Sequence, residues 1–360
     1  MSKREVAGGD SGEDRKSAES RKLVKWGSSE TLIMSLPRNW VKKFQLNKDS
    51  EVTIMENQDG SLLVSPLTLG NERPRFESTI TFSNEEMDDM DIIELEITIK
   101  YLDGNDVIVI EKKEGKGGTD KFSTKFTLKV QEVVQSLLGL EITSLLSTKI
   151  KIQDIMNIHE TNVDVLVKII ANSAVDLFQN MCDIIKEGDY ASHVDSLMIS
   201  KKQVRKYYLR ILRELRKGLL VPATLSRMGL SAQDTLDAAF YITDISAVVD
   251  DLDFAFGALV NKPPVVLEGQ IKDSIAGFMH EVYTTFKKAV DAFLFKTKKE
   301  AVAIVKGAPL IEEKKRDIEN ILDNMSTKAQ YTGYEILLDT LSKVADHSLS
   351  IAFSALRKIL

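Results

Sequence analysis

Cysteine is almost missing: Cys182 stands alone among 360 residues. A lone thiol cannot close an internal disulfide, so the expected setting is a reducing compartment. Histidine is scarce as well. His159, His193, His280 and His347 are dispersed, and four imidazoles with one thiol exclude a Cys/His zinc cage. Any metal would have to be held by carboxylates. No stretch of about 18 apolar residues occurs, so no spanning helix is expected. Residues 1–20 contain almost nothing apolar and lack the core of a signal peptide. They read as a disordered tail, too polar to offset their ordering entropy. The expectation is a soluble cytoplasmic protein without membrane insertion. Catalytic signatures are missing too: no GxxxxGK[ST] loop, no GxSxG and no HExxH. The chain is therefore not expected to be an enzyme. Cys182 sits among apolar residues, where a buried, inert thiol is expected.

What is present is an ordinary globular composition, 43% hydrophobic and 28% charged, with net charge −6. An acidic average argues against wholesale polyanion binding but not against local basic patches. The pattern changes twice along the chain. Residues 21–69 read as short strands around a short helix. Pro37 suits the first turn of a helix over Arg38 to Phe44, and Asp59-Gly60 supplies a hairpin turn. Residues 70–153 are mixed, with strand-like Thr79–Phe82 and Val107–Ile110 and a helical Val130–Leu140. From Asp154 onward the apolar period is helical, over 154–187, 191–218, 231–260, 265–298, 309–325 and 327–359. Breaks fall at Gly188-Asp189, Leu220–Gly229, Pro263-Pro264 and Gly307-Ala308-Pro309. A weak repeat relates Ile245–Asp251 to Leu341–His347, which suggests two three-helix bundles, 154–262 and 263–360.

The landmarks Val24-Lys25-Trp26-Gly27, Leu32–Pro37 and Leu46-Asn47-Lys48-Asp49-Ser50-Glu51-Val52 occur in the order of the SpoVT/AbrB, or MazE-like, DNA-binding domain. The segment resembles that family over about 45 residues. The resemblance implies a swapped-hairpin β-barrel built by two chains, hence a homodimer, with basic residues facing DNA. The candidates are Lys22, Lys25, Arg38, Lys42 and Lys43. Ser35 stands where MazE-type sequences are often basic. Residues 21–69 carry seven Lys/Arg and five Asp/Glu, a net of +2.

Farther on, Tyr101-Leu102-Asp103-Gly104, Val107-Ile108, Leu138–Ile142 and Ile152–Ile155 resemble the connector of archaeal-type PhoU regulators, in which an AbrB-type domain precedes a PhoU bundle. That resemblance implies a multidomain α+β fold, mainly helical: an AbrB-like barrel, an α/β connector and a pair of PhoU-like three-helix bundles. It implies a regulator of phosphate uptake, with a phosphate transporter ATPase or a sensor as candidate partners. PhoU bundles carry carboxylate pairs four residues apart, which share a helix face and hold metal clusters. Here the third-helix positions read Ser246/Asp250 and Ser342/Asp346. The second-helix positions read Lys201/Arg205 and Lys315/Glu319. Only Asp250, Glu319 and Asp346 remain as vestigial positions, so no metal or other cofactor is expected. Salt bridges Arg205–Asp250 and Lys315–Asp346 are expected to brace the helices instead.

Residues 201–217 hold eight Lys/Arg and one Glu, a net of +7. Val204, Tyr208, Ile211, Leu212 and Leu215 form the apolar stripe, so the basic residues are expected on the outer faces. Lys202, Lys206, Arg210, Arg213 and Lys217 are then candidates for a docking surface, and reversing Arg210, Arg213 and Lys217 should leave folding intact. Three functions stay open. They are a DNA-binding regulator linked to phosphate supply, an adaptor that uses its AbrB-like unit only to dimerise, and an antitoxin-like protein.

Overall fold

The computed structural model describes residues 20–27, 30–56, 60–66, 76–113, 121–156, 162–188, 191–220, 224–225, 228–261, 270–324 and 332–359. Residues 1–19 of the expected tail, the residues Asp59, Asp189, Pro222 and Pro263-Pro264, and His159 lie outside them. The chain divides into two compact units, residues 1–74 and 75–360.

In the first unit, β1 (Val24–Lys25) pairs antiparallel with β2 (Leu32–Ile33), and α1 spans Arg38–Lys43. Pro37 precedes α1, and its carbonyl accepts from the Val41 amide at 3.0 Å. Its missing N–H costs nothing there. After α1, the Asn47 side chain accepts from the Asp49 amide at 2.9 Å, the Asx turn that Asn-Lys-Asp favours. β3 (Val52–Glu56) then pairs with β4 (Leu62–Pro66) from Val52↔Pro66 to Glu56↔Leu62, forming the expected hairpin. Gly60, at φ +78°, takes the conformation that the hairpin needs. These are two separate two-stranded sheets, and no closed barrel forms among the described residues of one chain.

The second unit begins with a four-stranded sheet in the order β5-β6-β8-β7. β5 (Glu77–Phe82) and β6 (Val107–Lys112) are parallel, joined by α2 (Met90–Leu102). After α3 (Thr124–Ser136), β7 (Leu140–Leu145) and β8 (Lys149–Asp154) form a hairpin that sets β8 antiparallel to β6. Alternate residues Ile80/Phe82, Ile108/Ile110 and Ile150/Ile152 share one face and pack with Ile93, Ile97, Phe126 and Val130 of the helices. Asp89 caps α2 by accepting from the amides of Asp91 and Ile92, a contact worth about 1 kcal/mol.

Six long helices follow among the described residues: α4 (Val163–Glu187), α5 (Val194–Leu220), α6 (Ala232–Asn261), α7 (Gln270–Phe295), α8 (Lys298–Asp323) and α9 (Thr332–Ile359). Helices α4–α6 pack together, as do α7–α9. The two triplets also meet through α6–α9 and α4–α7, and all six share one continuous core. Gly188, at φ +82°, ends α4 as expected.

Three boundaries differ from the sequence reading. The helix expected over Val130–Leu140 spans Thr124–Ser136, and Leu140 already opens β7. Asp154 is not the start of a helix but the last residue of β8, and α4 starts only after Asn162, which caps it. The break expected at Gly307-Ala308-Pro309 does not occur. α8 runs through Pro309, and the chain turns instead at Lys296 (φ +56°) and Thr297. Pro309 lies on the exposed side of α8, where water can take the carbonyl it leaves unpaired. Thr297 donates to Glu300 at 2.7 Å, and this Thr-x-x-Glu spacing was the readable start signal.

Candidate functional surfaces and a buried ionic joint

In the first unit, Lys22, Lys25, Arg38, Lys42 and Lys43 are all exposed. Lys22 and Lys25 lie in and beside β1. Arg38 opens α1, and Lys42 and Lys43 close it, where cations complement the helix C-terminus. Several apolar side chains of this unit are uncovered as well. Leu23, Trp26, Leu32, Met34, Ile54 and Leu62 are all exposed. Pro66 is the one buried residue among the unit's described side chains. So much open apolar surface on so small a unit marks an interaction surface.

In the second unit the basic helix is not an outer surface. Arg210 and Arg213 are 0% exposed and Lys217 is 3% exposed. They sit four, three and four residues apart from Lys206 onward, which places them on one stripe of α5. That stripe faces the sheet, while Val204, Ile211 and Leu215 enter the helical core. Two carboxylates wait at the sheet. Asp106 immediately precedes β6, and Asp154 ends the neighbouring β8, whose amide donates to the Asp106 carbonyl at 2.9 Å. Antiparallel pairing of β6 with β8 thus brings residues distant in sequence to one end of the sheet.

Arg210 Nη1 lies 2.9 Å from both oxygens of Asp154 and donates to the Leu138 carbonyl at 3.2 Å. Arg213 Nη2 reaches Asp154 at 3.0 Å, and its Nη1 donates to the Tyr101 carbonyl. Its guanidinium also lies 4.8 Å from the Tyr101 ring centroid. Lys217 bonds Asp106. Glu214, fully buried, stands 2.9 Å from Arg210 Nη2 without hydrogen-bond alignment. Three cations therefore meet three carboxylates here, their side chains all buried except that of the half-buried Asp106. Burial pulls the Lys217 ammonium below the usual lysine range, against the opposing pull of Asp106. Burial likewise pushes the Tyr101 phenol up, and its hydroxyl donates to the Leu138 carbonyl at 2.9 Å.

This joint corrects the docking-surface expectation for Arg210, Arg213 and Lys217. They are occupied within the chain, and reversing them is expected to damage folding. Lys206 is half-buried and donates to the Gln135 carbonyl at 2.9 Å, whereas Lys202 remains exposed. Spacing alone could have raised the alternative, since a 206/210/213/217 stripe has the period of a buried face.

The expected helix braces are also reassigned. Asp250 pairs not with Arg205 but with Lys201, at 3.3 Å, and Lys201 also holds Asp253 at 2.6 Å. Arg205 points toward Glu94 of α2, at 4.0 Å. Lys315 bonds Asp339 at 2.8 Å and Glu319 at 3.4 Å, not the exposed Asp346. Each pairing is one or two turns from the one expected, because a long side chain reaches along its helix. Ser342 donates to Glu312 at 2.8 Å. With Asp250 and Glu319 salt-bridged to lysine and serine at positions 246 and 342, these positions do not fit a metal cluster. No group of three metal-binding side chains occurs among the described residues.

His347 links α9 to α6. Its Nδ1 lies 3.0 Å from Asp244 and its Nε2 3.5 Å from Asp251, which also faces Lys343 at 4.0 Å. The Asp244 hydrogen bond raises its pKa above the ordinary 6.5, with Asp251 and Asp346 adding to the pull against desolvation. A raised pKa stabilises the fold below the unfolded value and is lost as pH rises through the folded one. His347→Gln is therefore expected to destabilise the protein more at mildly acidic pH than at pH about 9. Urea melts of both proteins at the two pH values test this, and an equal loss at both would refute it. Cys182 is buried in α4, and burial pushes its thiol up to about 12, which makes it inert at neutral pH.

Residues 23–70 match the family model of MazE, described as antidote-toxin recognition, bacterial antitoxin. The first unit thus contains an AbrB/MazE-like domain. No curated protein and no solved structure matches the chain. No helix among the described residues is long and apolar enough to cross a membrane.

Proposed function

We propose that this protein is a homodimeric, DNA-binding transcriptional regulator of phosphate uptake. In this reading the MazE-like unit pairs two chains and reads DNA, and the PhoU-like helical half takes the input or docks a partner. The observation that carries the reading is the MazE match at 23–70 on a unit that exposes both its apolar side chains and five basic residues. A second copy would cover the apolar surface, and doubling the chain doubles the cations presented to phosphates. The phosphate link rests on the connector motifs and on six long helices packed as two triplets. It carries no metal chemistry. A transporter ATPase or a sensor protein is the partner this half would serve.

The description of the matched family favours a second reading, an antitoxin-like protein that binds DNA and a toxin. An adaptor without DNA binding is the third.

The decisive variant replaces Lys22, Lys25, Arg38, Lys42 and Lys43 together with alanine. All five are exposed, so the dimer should persist by light scattering while duplex affinity falls by two or more orders of magnitude at low salt. An unchanged affinity would remove these residues from the DNA interface.

A further inference from the structure

A cavity of about 220 Å³ opens between α5 and α6. Its polar lining is Lys201, Arg205 and Tyr208 on α5 and Thr243, Ser246 and Asp250 on α6. Both sets repeat at i, i+3/i+4 and i+7, so each is one helix face turned toward the other. The floor is apolar, from Val204, Ala247 and Val249.

The donors there are unevenly used. Lys201 is held by Asp250 at 3.3 Å and Asp253 at 2.6 Å. Arg205 has five N–H donors, and its one carboxylate neighbour among the described residues, Glu94, stands at the 4.0 Å limit. Thr243 donates its hydroxyl to the Ala239 carbonyl at 2.7 Å, leaving its oxygen as an acceptor. Among the described residues, no hydrogen bond involves the Ser246 or Tyr208 hydroxyl. Two cations and two uncommitted hydroxyls around one cavity suit a small oxyanion. At roughly 30 Å³ per water, the space holds such an ion with several waters.

Asp250 narrows the class. A carboxylate repels a fully ionised oxyanion but accepts a hydrogen bond from one that keeps a proton. Phosphate and phosphate monoesters can carry a proton near neutral pH, whereas sulfate carries none. We propose that this cavity binds a protonated small oxyanion, inorganic phosphate or the phosphoryl group of a small monoester, gripped by Arg205, Lys201 and Ser246 and selected by Asp250. This deepens the regulatory reading by naming the input of the helical half. It stands apart from DNA binding in its test.

The test is calorimetric titration of the full chain with inorganic phosphate, sulfate and glycerol 3-phosphate. Saturable binding of phosphate or the monoester is expected, with sulfate weaker by about tenfold or more. Whichever of the first two binds tighter identifies the source. Arg205→Gln, an exposed change with little risk to folding, should weaken binding by about tenfold. Asp250→Asn should shrink the gap between phosphate and sulfate. No saturable binding at millimolar phosphate, or binding unchanged by Arg205→Gln, would overturn the site. Duplex affinity measured on the same variants separates the outcomes. Phosphate binding without DNA binding removes the regulator and keeps the site, and DNA binding without phosphate binding does the reverse.

Discussion

Asp154→Ala is expected to destabilise the second unit by about 3–5 kcal/mol, the range for removing one partner from a buried charge pair. Arg210 and Arg213 both lose a carboxylate that is 2.9 and 3.0 Å away, and neither can reach water, since both are 0% exposed. Arg210 keeps Glu214 at 2.9 Å and Arg213 keeps Asp106 at 3.7 Å, besides the Leu138 and Tyr101 carbonyls, but two carboxylates then face three cations. Against a typical total of about 5–15 kcal/mol, such a loss leaves the fold near its limit. Glu111→Ala serves as the control. Glu111 pairs with Lys149 at 2.7 Å in a half-exposed bridge, and losing it should cost no more than about 1 kcal/mol. Urea unfolding of both variants compares them directly. Equal small effects would mean that the joint contributes little.

Gly139→Ala is expected to cost about 2–4 kcal/mol, from backbone strain and a clash at one position. Gly139 has φ +91°, a region that L side chains rarely adopt. A Cβ there would lie 2.7 Å from Arg210 Nη1, 2.8 Å from Asp154 Oδ1 and 2.9 Å from Met156 Cγ. The first two atoms are fixed in the ionic joint and cannot give way. Gly104 separates the two causes. Its φ is +83°, but the three atoms nearest to a Cβ there all belong to the Lys217 side chain, at 3.4–3.5 Å, ordinary contact distances. Gly104→Ala should cost about 1–2 kcal/mol from strain alone. Thermal melts that find the two variants alike would contradict the clash.

Much of the secondary structure was legible because it is written in local chemistry. Gly60, Pro37 and Gly188 each act within a few residues, and the elements they bound form where they were expected, whereas the helical apolar period located the helices but not all of their ends. The joint was not legible in the same way. A row of Lys and Arg reads as solvated, because burying a cation is costly unless a carboxylate meets it. Asp106 and Asp154, which meet it, lie 111 and 56 residues from their partners Lys217 and Arg210. They become neighbours only through the β6–β8 pairing, which spacing does not reveal. Pro309 misled for a related reason, since its effect depends on which side of the helix faces solvent. In the first unit the landmarks identified the MazE-like segment, whereas the described residues of one chain form two separate hairpins and close no barrel.

The most direct test of DNA binding by this protein is duplex affinity measured against salt concentration on the full chain. Five exposed cations per protomer give a dimer about ten phosphate contacts at most, so log K should fall against log salt with a slope of roughly −5 to −9. Feeble binding with a slope near zero at every salt concentration would contradict the account and leave the first unit as a dimerisation module.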